Sequence, residues 1–288
     1  MKIFLTGATG FLGRHLLPAL LAEGHEIVAL RRAQSRLDKF SGLDRKINWV
    51  SVEDGFKAAF DSNPGIDVVV HTAAIYGRHH EDCAEMLAVN TEMPLSLVEA
   101  AIKSGVGFFI NTDSALPRDM TPYSISKAQF TDWGRWFGEN GKIYFADVKL
   151  EHMFGPGDDE SKFTSFVINA CRENRESLPL TLGESKRDFI YIDDVVSAYL
   201  CLLQSKRDDP PGYEEFPLGS GFAGSTRSFV ELVHKLSGSC TRLEFGAVPY
   251  RTNEVMLSVA DTSKLNSLGW KCETSLEIGI RKVLGELQ

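Results

Sequence analysis

Short runs of β-branched and aromatic residues alternate with longer amphipathic segments through the first two thirds of this 288-residue chain. Such an alternation predicts a mostly parallel sheet with helices on both faces, which is a doubly wound α/β fold. The predicted strands are residues 2–6, 27–30, 47–50, 68–71, 108–111 and 144–150. The predicted helices are residues 11–23, 55–62, 81–103 and 123–139.

The first predicted strand passes into the first predicted helix through three spaced glycines, Gly7, Gly10 and Gly13. Glycines at such a junction let the backbone turn sharply and approach a pyrophosphate, while the N–H groups of the helix N-terminus bind the anion. Spaced glycines also suit an ordinary tight turn, but the preceding strand and the following apolar helix favour a Rossmann-type dinucleotide site. The predicted cofactor contacts in this loop are Gly7, Thr9, Gly10, Phe11 and Leu12.

Two arginines, Arg31 and Arg32, follow the second predicted strand. A dinucleotide site usually has an acid at this place when it binds the free ribose 2′-hydroxyl of NAD, and an arginine when it binds the 2′-phosphate of NADP. Paired arginines are also common on a solvated surface. We expect both arginines to bind the cofactor, with NADPH preferred over NADH.

The composition changes after Gly155, where proline, glycine and serine become frequent. This change predicts a smaller lobe that is richer in loops. A strand at residues 189–192 and a helix at residues 193–204 are also predicted there, so we expect the lobe to be interleaved with the main sheet. The predicted division is a dinucleotide-binding domain at residues 1–154 and a substrate-binding lobe at residues 155–288, with residues 187–204 returning to the first domain.

Charge and composition exclude several other classes of function. The chain has 31 Lys plus Arg against 39 Asp plus Glu, a net charge of -8, which disfavours nucleic acids and anionic membranes as partners. It has no apolar run near the roughly 18 residues of a membrane span and no signal-peptide pattern, so we expect a cytosolic protein. The five cysteines are widely spaced, which predicts reduced thiols. His71, His79 and His80 match no strong ligand spacing, and we expect no metal.

Tyr123 and Lys127 are four residues apart at the start of a predicted helix. This spacing places the phenol and the ammonium on one helix face. We expect the cation to lower the pKa of Tyr123 from its reference near ~10, so that the phenol exchanges a proton near neutrality. Such a pair also arises by chance, but the strand just upstream brings Thr112 to the carboxyl edge of the sheet, where such folds bind ligands.

These motifs, in this order, resemble those of the extended short-chain dehydrogenases/reductases. The resemblance covers essentially the whole chain and includes the segments 71–74, 155–157 and 187–195. It is strongest for the branch that acts on nucleotide sugars. Within that branch, the segments 111–114, 150–152, 155–158 and 253–256 resemble the CDP-abequose synthases, which reduce the 4-keto group of a CDP-3,6-dideoxyhexulose.

The resemblance implies a catalytic role for three residues. Tyr123 would be the catalytic acid, and Thr112 would hydrogen-bond the substrate carbonyl. Lys127 would hold the nicotinamide ribose and tune Tyr123. The reaction implied is an NADPH-dependent 4-ketoreduction of a nucleotide-linked deoxyhexulose, most closely a CDP-3,6-dideoxyhexulose.

Binding residues are implied in the same way. Ala73 and Ala74 would line the cofactor path, and Asn90 would brace the helix near the lysine. The implied substrate-binding residues are Tyr76, Asp113, Ser114, His152, Lys162, Phe163, Arg187 and Arg251. The two arginines of this set would bind the diphosphate, because guanidinium groups suit phosphate oxygens.

The chain departs from the wider family at two places. His152 stands where the family usually has asparagine, and both a substrate contact and a purely structural role stay open for it. Sugar-nucleotide 4,6-dehydratases follow their threonine with Asp-Glu, whereas this chain has Asp113 and Ser114. A serine cannot serve as the carboxylate base that removes a C–H proton, which favours reduction over dehydration.

Two other functions remain as alternatives. One is an epimerase or dehydratase that retains NAD through a full cycle. The other is a non-catalytic dinucleotide sensor, although such proteins commonly lose the tyrosine or the lysine, and both are present here. We also expect a homodimer through the helices at residues 81–103 and 123–139. Their apolar residues include Leu95, Val98, Trp133, Trp136 and Phe137.

Overall fold

The computed structural model describes residues 1–40, 42–43, 46–78, 80–206 and 208–286. Two compact units divide the chain: Met1–Lys149 with Tyr199–Phe216, and Leu150–Ala198 with Pro217–Gln288. The first unit therefore ends at residue 149 where we predicted 154, and the chain returns to it at residues 199–216 where we predicted 187–204. The return differs because a strand beginning at Gly212, which the sequence pattern did not indicate, joins the edge of the main sheet.

The predicted alternation of strands and helices is confirmed. The strands are β1 (Lys2–Thr6), β2 (Glu26–Arg31), β3 (Ile47–Ser51), β4 (Val68–His71), β5 (Phe108–Ser114), β6 (Tyr144–Leu150), β7 (His152–Phe154), β8 (Ser177–Leu180), β9 (Lys186–Tyr191), β10 (Gly212–Leu218), β11 (Ala223–Ser225) and β12 (Arg242–Phe245). The helices are α1 (Phe11–Ala22), α2 (Phe56–Asp61), α3 (Cys83–Leu87), α4 (Met93–Lys103), α5 (Pro122–Glu139), α6 (Phe163–Arg172), α7 (Ile192–Lys206), α8 (Thr226–Leu236), α9 (Ser263–Ser267) and α10 (Leu276–Leu284). Among the described residues, no helix is both long and apolar enough to cross a membrane.

The main sheet has the strand order β10-β6-β5-β4-β1-β2-β3. Strand β1 pairs in parallel with β2 on one side and with β4 on the other, and β2–β3 and β4–β5 are also parallel. This order is that of a doubly wound Rossmann sheet, so the predicted fold class is confirmed. Because the winding reverses between β1 and β4, a crevice for ligands forms at the carboxyl ends of these two strands.

Both faces of the central strands of this sheet are buried. Alternate residues of β1 show this, because Phe4 on one face and Ile3 and Leu5 on the other have no exposed surface. The face of Phe4 packs in one hydrophobic core with residues of α2, α4 and α5. Strands enclosed on both sides explain why β1 and β4 are continuous apolar runs in the sequence.

The predicted helix at residues 81–103 is interrupted. It consists of α3, a π-helical turn at Ala88–Glu92, and α4. Pro94 has no N–H to donate to the carbonyl four residues earlier, which favours the wider turn at this place. The wide turn contains Asn90 and Thr91, both buried polar residues that contact the candidate site described below.

The second unit has two small sheets. Strand β9 pairs with β7 in parallel and with β11 antiparallel, and β8 pairs with β12 in parallel. Aromatic side chains fill its core, where the ring of Phe229 on α8 lies 4.5 Å from that of Phe189 and 6.2 Å from that of Phe154. Contacts of this kind give a small lobe a core that its short strands alone would not supply.

Candidate active site

Strand β5 ends at Ser114, beyond the predicted end at residue 111, so Thr112 lies within the strand. Side chains alternate between the two faces of a strand, so Thr112 points away from Asn111 and Asp113. The Thr112 hydroxyl lies 2.6 Å from the hydroxyl of Tyr199 on α7. Asn111 and Asp113 instead contact residues of β6 and α5.

Helix α5 carries both members of the predicted tyrosine–lysine pair. A capping box fixes its first turn, because Ser124 N–H donates to the Thr121 hydroxyl at 3.1 Å and Thr121 N–H donates to the Ser124 hydroxyl at 2.9 Å. Pro122 follows at the first helical position, where its lack of an N–H costs nothing. Tyr123 is therefore held in the first turn of α5, and Lys127 lies one turn later.

The π-helical turn braces α5 beside the lysine. The Asn90 side-chain amide donates to the Ser126 hydroxyl at 3.1 Å, and the Thr91 hydroxyl donates to the Ser126 carbonyl at 2.8 Å. Asn90 also bonds the backbone N–H and carbonyl of Ile75, at 3.0 and 2.9 Å. One amide thus ties the loop after β4 to the helix that carries Lys127.

The phenol of Tyr123 lies among aromatic and charged neighbours. Its ring centroid is 4.9 Å from that of Tyr76, and the Arg78 guanidinium lies over the Tyr76 ring. Desolvation, with smaller effects of Tyr76 and Asp113, raises the pKa of Tyr123 well above its usual range, although Arg78 and a hydrogen bond with Ser114 act in the opposite direction. The expectation of a lowered pKa is wrong for this structure, because burial outweighs the nearby positive charge. The phenol is held in its protonated form.

Lys127 is a buried cation, with only 1% of its surface exposed. Burial lowers its pKa, while the negative charges of Asp113 and Asp147 partly compensate. Within the described part of the chain, its Nζ has no hydrogen-bond partner. A buried ammonium of this kind is costly unless a ligand supplies acceptors, and the hydroxyl groups of a nicotinamide ribose would do so.

The glycine loop has the shape that a pyrophosphate needs. A Cβ on Gly7 would lie 2.6 Å from the backbone nitrogen of Ala73, and one on Gly13 would lie 2.1 Å from the Gly7 carbonyl oxygen. The loop therefore packs directly against the segment after β4, which contains Ala73 and Ala74. Helix α1 begins after Gly10, which has no side chain to cover the first N–H groups of the helix. The first turn of α1, which lies within the described residues, contains no acidic residue. These residues fit the pyrophosphate of a dinucleotide.

The side chains of this loop are placed unequally. Leu12 is 4% exposed and packs into the core, so that only its backbone faces the loop. Thr9 and Phe11 are partly exposed, and the Phe11 ring lies 5.2 Å from that of His15. We keep the cofactor contacts of Thr9, Phe11 and Leu12 as predictions.

The two arginines after β2 differ in exposure. Arg31 is the last residue of the strand and is partly buried, and its Nε has no hydrogen-bond partner among the described residues. Arg32 is exposed, and its N–H donates to the Ser35 hydroxyl at 3.2 Å. An acid that sequence reasoning missed lies close by, since Ala33 N–H donates to Glu53 at 3.2 Å. A hydrogen bond from Ser51 is the largest cause that lowers the pKa of Glu53, so the acid stays ionised beside the arginines.

A buried polar network lies behind Thr112. Asp113 accepts hydrogen bonds from Lys149 at 2.5 Å and Thr131 at 3.1 Å, while Asn111 donates to Asp147 at 2.7 Å. Burial, with the charge of Asp113, raises the pKa of Asp147 to about 6. Burial alone would lower the pKa of Lys149, but Asp147 and Asp113 raise it. The Asp113 carboxylate is thus bound by the protein, and no motif indicated Lys149 or Asp147.

Five of the predicted substrate-binding residues lie in the second unit. The His152 Nδ1 is 3.4 Å from Glu151, whose carboxylate also accepts from the Ser258 hydroxyl at 2.7 Å. Lys162 pairs with Asp158 at 2.8 Å. The exposed ring of Phe163 lies 6.4 Å from that of Phe189 and nearly parallel to it.

The two predicted diphosphate-binding arginines differ in burial. Arg187 is buried and donates to Glu254 at 2.6 Å and to the Lys186 carbonyl at 2.9 Å. It also lines a cavity of about 360 Å³ together with Phe189, Ser220 and residues 272–276. Arg251 is exposed in a turn. Among the described residues, no group of three His, Cys, Asp or Glu is arranged to hold a metal ion, and His79 lies outside those residues.

Comparison with known proteins gives the family. The model of the NAD dependent epimerase/dehydratase family matches residues 3–219. The chain belongs to that family. It is therefore a nicotinamide-dependent oxidoreductase of the extended short-chain dehydrogenase/reductase type.

Within this family, the chain is similar over nearly its full length to enzymes that act on nucleotide sugars. The chain is 35% identical to the CDP-abequose synthase of Salmonella muenchen, over 98% of this chain and 97% of that protein. It is 32% identical to the CDP-abequose synthase of Salmonella typhimurium, over 99% and 98% of the two chains. The UDP-glucose 4-epimerase of Thermus thermophilus, solved in complex with NAD, has the same fold, with a TM-score of 0.83 at 22% identity over 99% of this chain and 98% of that one. The two CDP-abequose synthases support an activity on nucleotide sugars.

Replacing Lys127 with methionine should separate stability from cofactor binding. Because its pKa is lowered by burial, the ammonium is less stable in the folded protein than in the unfolded chain, so K127M should raise the free energy of unfolding. Cofactor affinity should fall about tenfold or more, since the acceptors of the ribose lose a charged donor. Urea denaturation without cofactor and fluorescence titration with NADPH and NADH measure the two effects.

Lys103 at the exposed end of α4 is the matched control. K103M should change cofactor affinity by less than about twofold, because surface lysines contribute little. A K127M protein that is less stable yet binds cofactor normally would show that Lys127 serves the fold.

Proposed function

We propose that this enzyme uses NADPH to reduce the 4-keto group of a nucleotide-linked deoxyhexulose, specifically a CDP-3,6-dideoxyhexulose. The observation that carries the proposal is the protonated phenol of Tyr123 hydrogen-bonded to Ser114, two residues after Thr112 on β5, in a chain that matches CDP-abequose synthases over its full length. A proton donor is what a carbonyl reduction requires of the protein.

Each catalytic residue then has one task. The nicotinamide, when bound, supplies the hydride for C4. Tyr123 donates its phenolic proton to the substrate oxygen, and its raised pKa keeps that proton in place until negative charge develops. Thr112 donates a hydrogen bond to the same oxygen. Lys127 holds the ribose, and its positive charge stabilises the phenolate that Tyr123 leaves behind.

Ser114 favours reduction over dehydration. It bonds the Tyr123 phenol and carries no charge at neutral pH, so it cannot remove a C–H proton from the sugar. Asp113 precedes it, but Lys149 and Thr131 bind the Asp113 carboxylate inside the protein. We therefore assign Asp113 to positioning β5 and keep Ser114 and Tyr76 as proposed neighbours of the sugar.

The residues of the second unit are proposed to bind the rest of the substrate. Arg187 and Arg251 suit a diphosphate, and the exposed face of Phe163 suits a base or sugar ring. His152 has Glu151 as a polar partner, which favours a structural role for His152. The cytosolic location stays a prediction.

The activity can be tested with a panel of 4-keto sugars linked to CDP, UDP and dTDP. We expect NADPH loss at 340 nm with the CDP-linked substrate, and a fall in kcat of about 10²-fold or more for Y123F, because the proton donor is removed. S114E should not improve reduction. The product's configuration at C4 can be read by NMR.

Three outcomes discriminate among the candidate functions. Net NADPH oxidation supports the reductase. An epimerized sugar without net oxidation would assign a retained-NAD epimerase, and formation of CDP-4-keto-6-deoxyglucose from CDP-glucose would assign a dehydratase. Cofactor binding without turnover of any sugar would favour the non-catalytic dinucleotide sensor.

Arg31 and Arg32 are proposed to select NADPH, although Glu53 lies beside them. Charged hydrogen bonds to a 2′-phosphate should make kcat/KM for NADPH about tenfold or more above that for NADH. The double variant R31Q/R32Q should lose this ratio, whereas E53Q, the control for a nearby charge, should retain it. Equal kcat/KM with the two cofactors in the unmodified enzyme would contradict the proposal.

We propose a homodimer through the outer face of α5. Trp133 and Trp136 are 45% and 50% exposed there, whereas Phe137 and Val98 are buried within the first unit. Exposed tryptophans on one helix face are typical of an interface. Light scattering should give twice the 31.9 kDa chain mass, and W133S/W136S should give a monomer. F222S, which removes a more exposed ring elsewhere, should remain dimeric, and a monomeric unmodified protein at micromolar concentration would refute the proposal.

A further inference from the structure

A second tyrosine reaches the proposed catalytic threonine from α7. The hydroxyl of Tyr199 lies 2.6 Å from Thr112 Oγ1, and Tyr199 has no exposed surface. The ring is among the largest fully buried side chains of the chain, and the neighbouring residues Leu202 and Leu203 of the same helix are also fully buried. A polar atom in such surroundings is normally retained for a specific partner.

The proposed role of Thr112 determines the direction of this hydrogen bond. Each hydroxyl has one hydrogen to donate. If Thr112 donates its hydrogen to the substrate oxygen, its own oxygen is left to accept, and Tyr199 must be the donor. Burial raises the pKa of Tyr199, so its hydrogen stays in place.

We propose that Tyr199 is a positioning residue, whose hydroxyl orients the hydroxyl of Thr112 toward the carbonyl oxygen of the substrate. This inference rests on the proposed ketoreduction. Without the Tyr199 hydrogen bond, the threonine hydroxyl would rotate among its staggered positions and would spend less time aimed at the substrate. Preorganised donors stabilise a developing negative charge because they need not reorient during the reaction.

Packing alone does not require this hydroxyl. A phenylalanine fills nearly the same volume and suits the apolar residues of α7, so the fold would be served equally well by a ring without the polar atom. The Tyr144 hydroxyl, by comparison, donates to Glu214 Oε1 at 2.8 Å. Tyr144 is therefore a matched control for removing a buried tyrosine hydroxyl.

The test is a double-mutant cycle between Tyr199 and Thr112. Y199F should lower kcat for the CDP-linked keto sugar about tenfold, with KM changed less than about twofold, because one neutral hydrogen bond is lost from the transition state. T112V should lower kcat further. Y199F in the T112V background should then have almost no additional effect, since the hydroxyl it orients is gone. Y144F should leave kcat unchanged.

Each outcome decides the inference. If Y199F lowers kcat by the same factor in the unmodified and the T112V backgrounds, the inference is overturned. An unchanged kcat for Y199F would also overturn it. Thermal unfolding of every variant shows whether a lost rate merely follows lost folding, which would also overturn it. If the unmodified enzyme does not oxidise NADPH with any keto sugar of the panel, the proposed function itself is wrong, and the inference about Tyr199 is wrong with it. If that enzyme is active but the cycle is additive, only the role of Tyr199 fails.

Discussion

The site depends on how closely α5 packs against the main sheet. A Cβ on Gly134 would lie 2.2 Å from the ring of Phe145, so any larger residue at this position of α5 would push the helix away from β6. Phe145 cannot yield easily, because it is fully buried and stacks on Phe109 with a centroid distance of 5.2 Å. This contact, two turns beyond Lys127, keeps the N-terminal half of α5 against the end of β5. The proposed proton donor Tyr123 and the buried ammonium of Lys127 are thereby placed by a glycine elsewhere on α5.

Close packing also shifts the pKa values of the ionisable side chains in the site. Lys127 and Lys149 are drawn into low-dielectric surroundings where each would be costly alone, and Asp113 and Asp147 lie near enough to offset part of that cost. The compensation is incomplete for Lys127, whose pKa remains lowered. Lys127 thus lowers the stability of the fold at the position where we propose that the cofactor ribose supplies hydrogen-bond acceptors, a pattern expected of a functional site. The same desolvation keeps Tyr123 protonated.

Sequence periodicity predicted the first six strands and the helices between them, because buried parallel strands and amphipathic helices leave strong local patterns. It did not predict β8, β10 and β12 or the helices α6, α8 and α10. The glycine loop and the Tyr123–Lys127 spacing are local as well. Tyr199 is 87 residues from Thr112, and its place in an apolar helix gave no sign that its hydroxyl has a catalytic neighbour. The pKa of Tyr123 was mispredicted for a related reason, since helical spacing shows which charges are near but not how much solvent is removed.

Alternation along β5 lets one strand serve two purposes. Thr112 meets Tyr199 on one side, while Asp113 on the other is bound by Lys149 and Thr131. A carboxylate next to Thr112 is therefore compatible with the proposed reduction, because Lys149 and Thr131 bind it within the protein. Ser114 then follows without a charge of its own. This arrangement agrees with Tyr123 as the proposed proton donor. The chemistry of a strand such as β5 depends on the neighbours that the fold gives each side chain as well as on the residues of the motif.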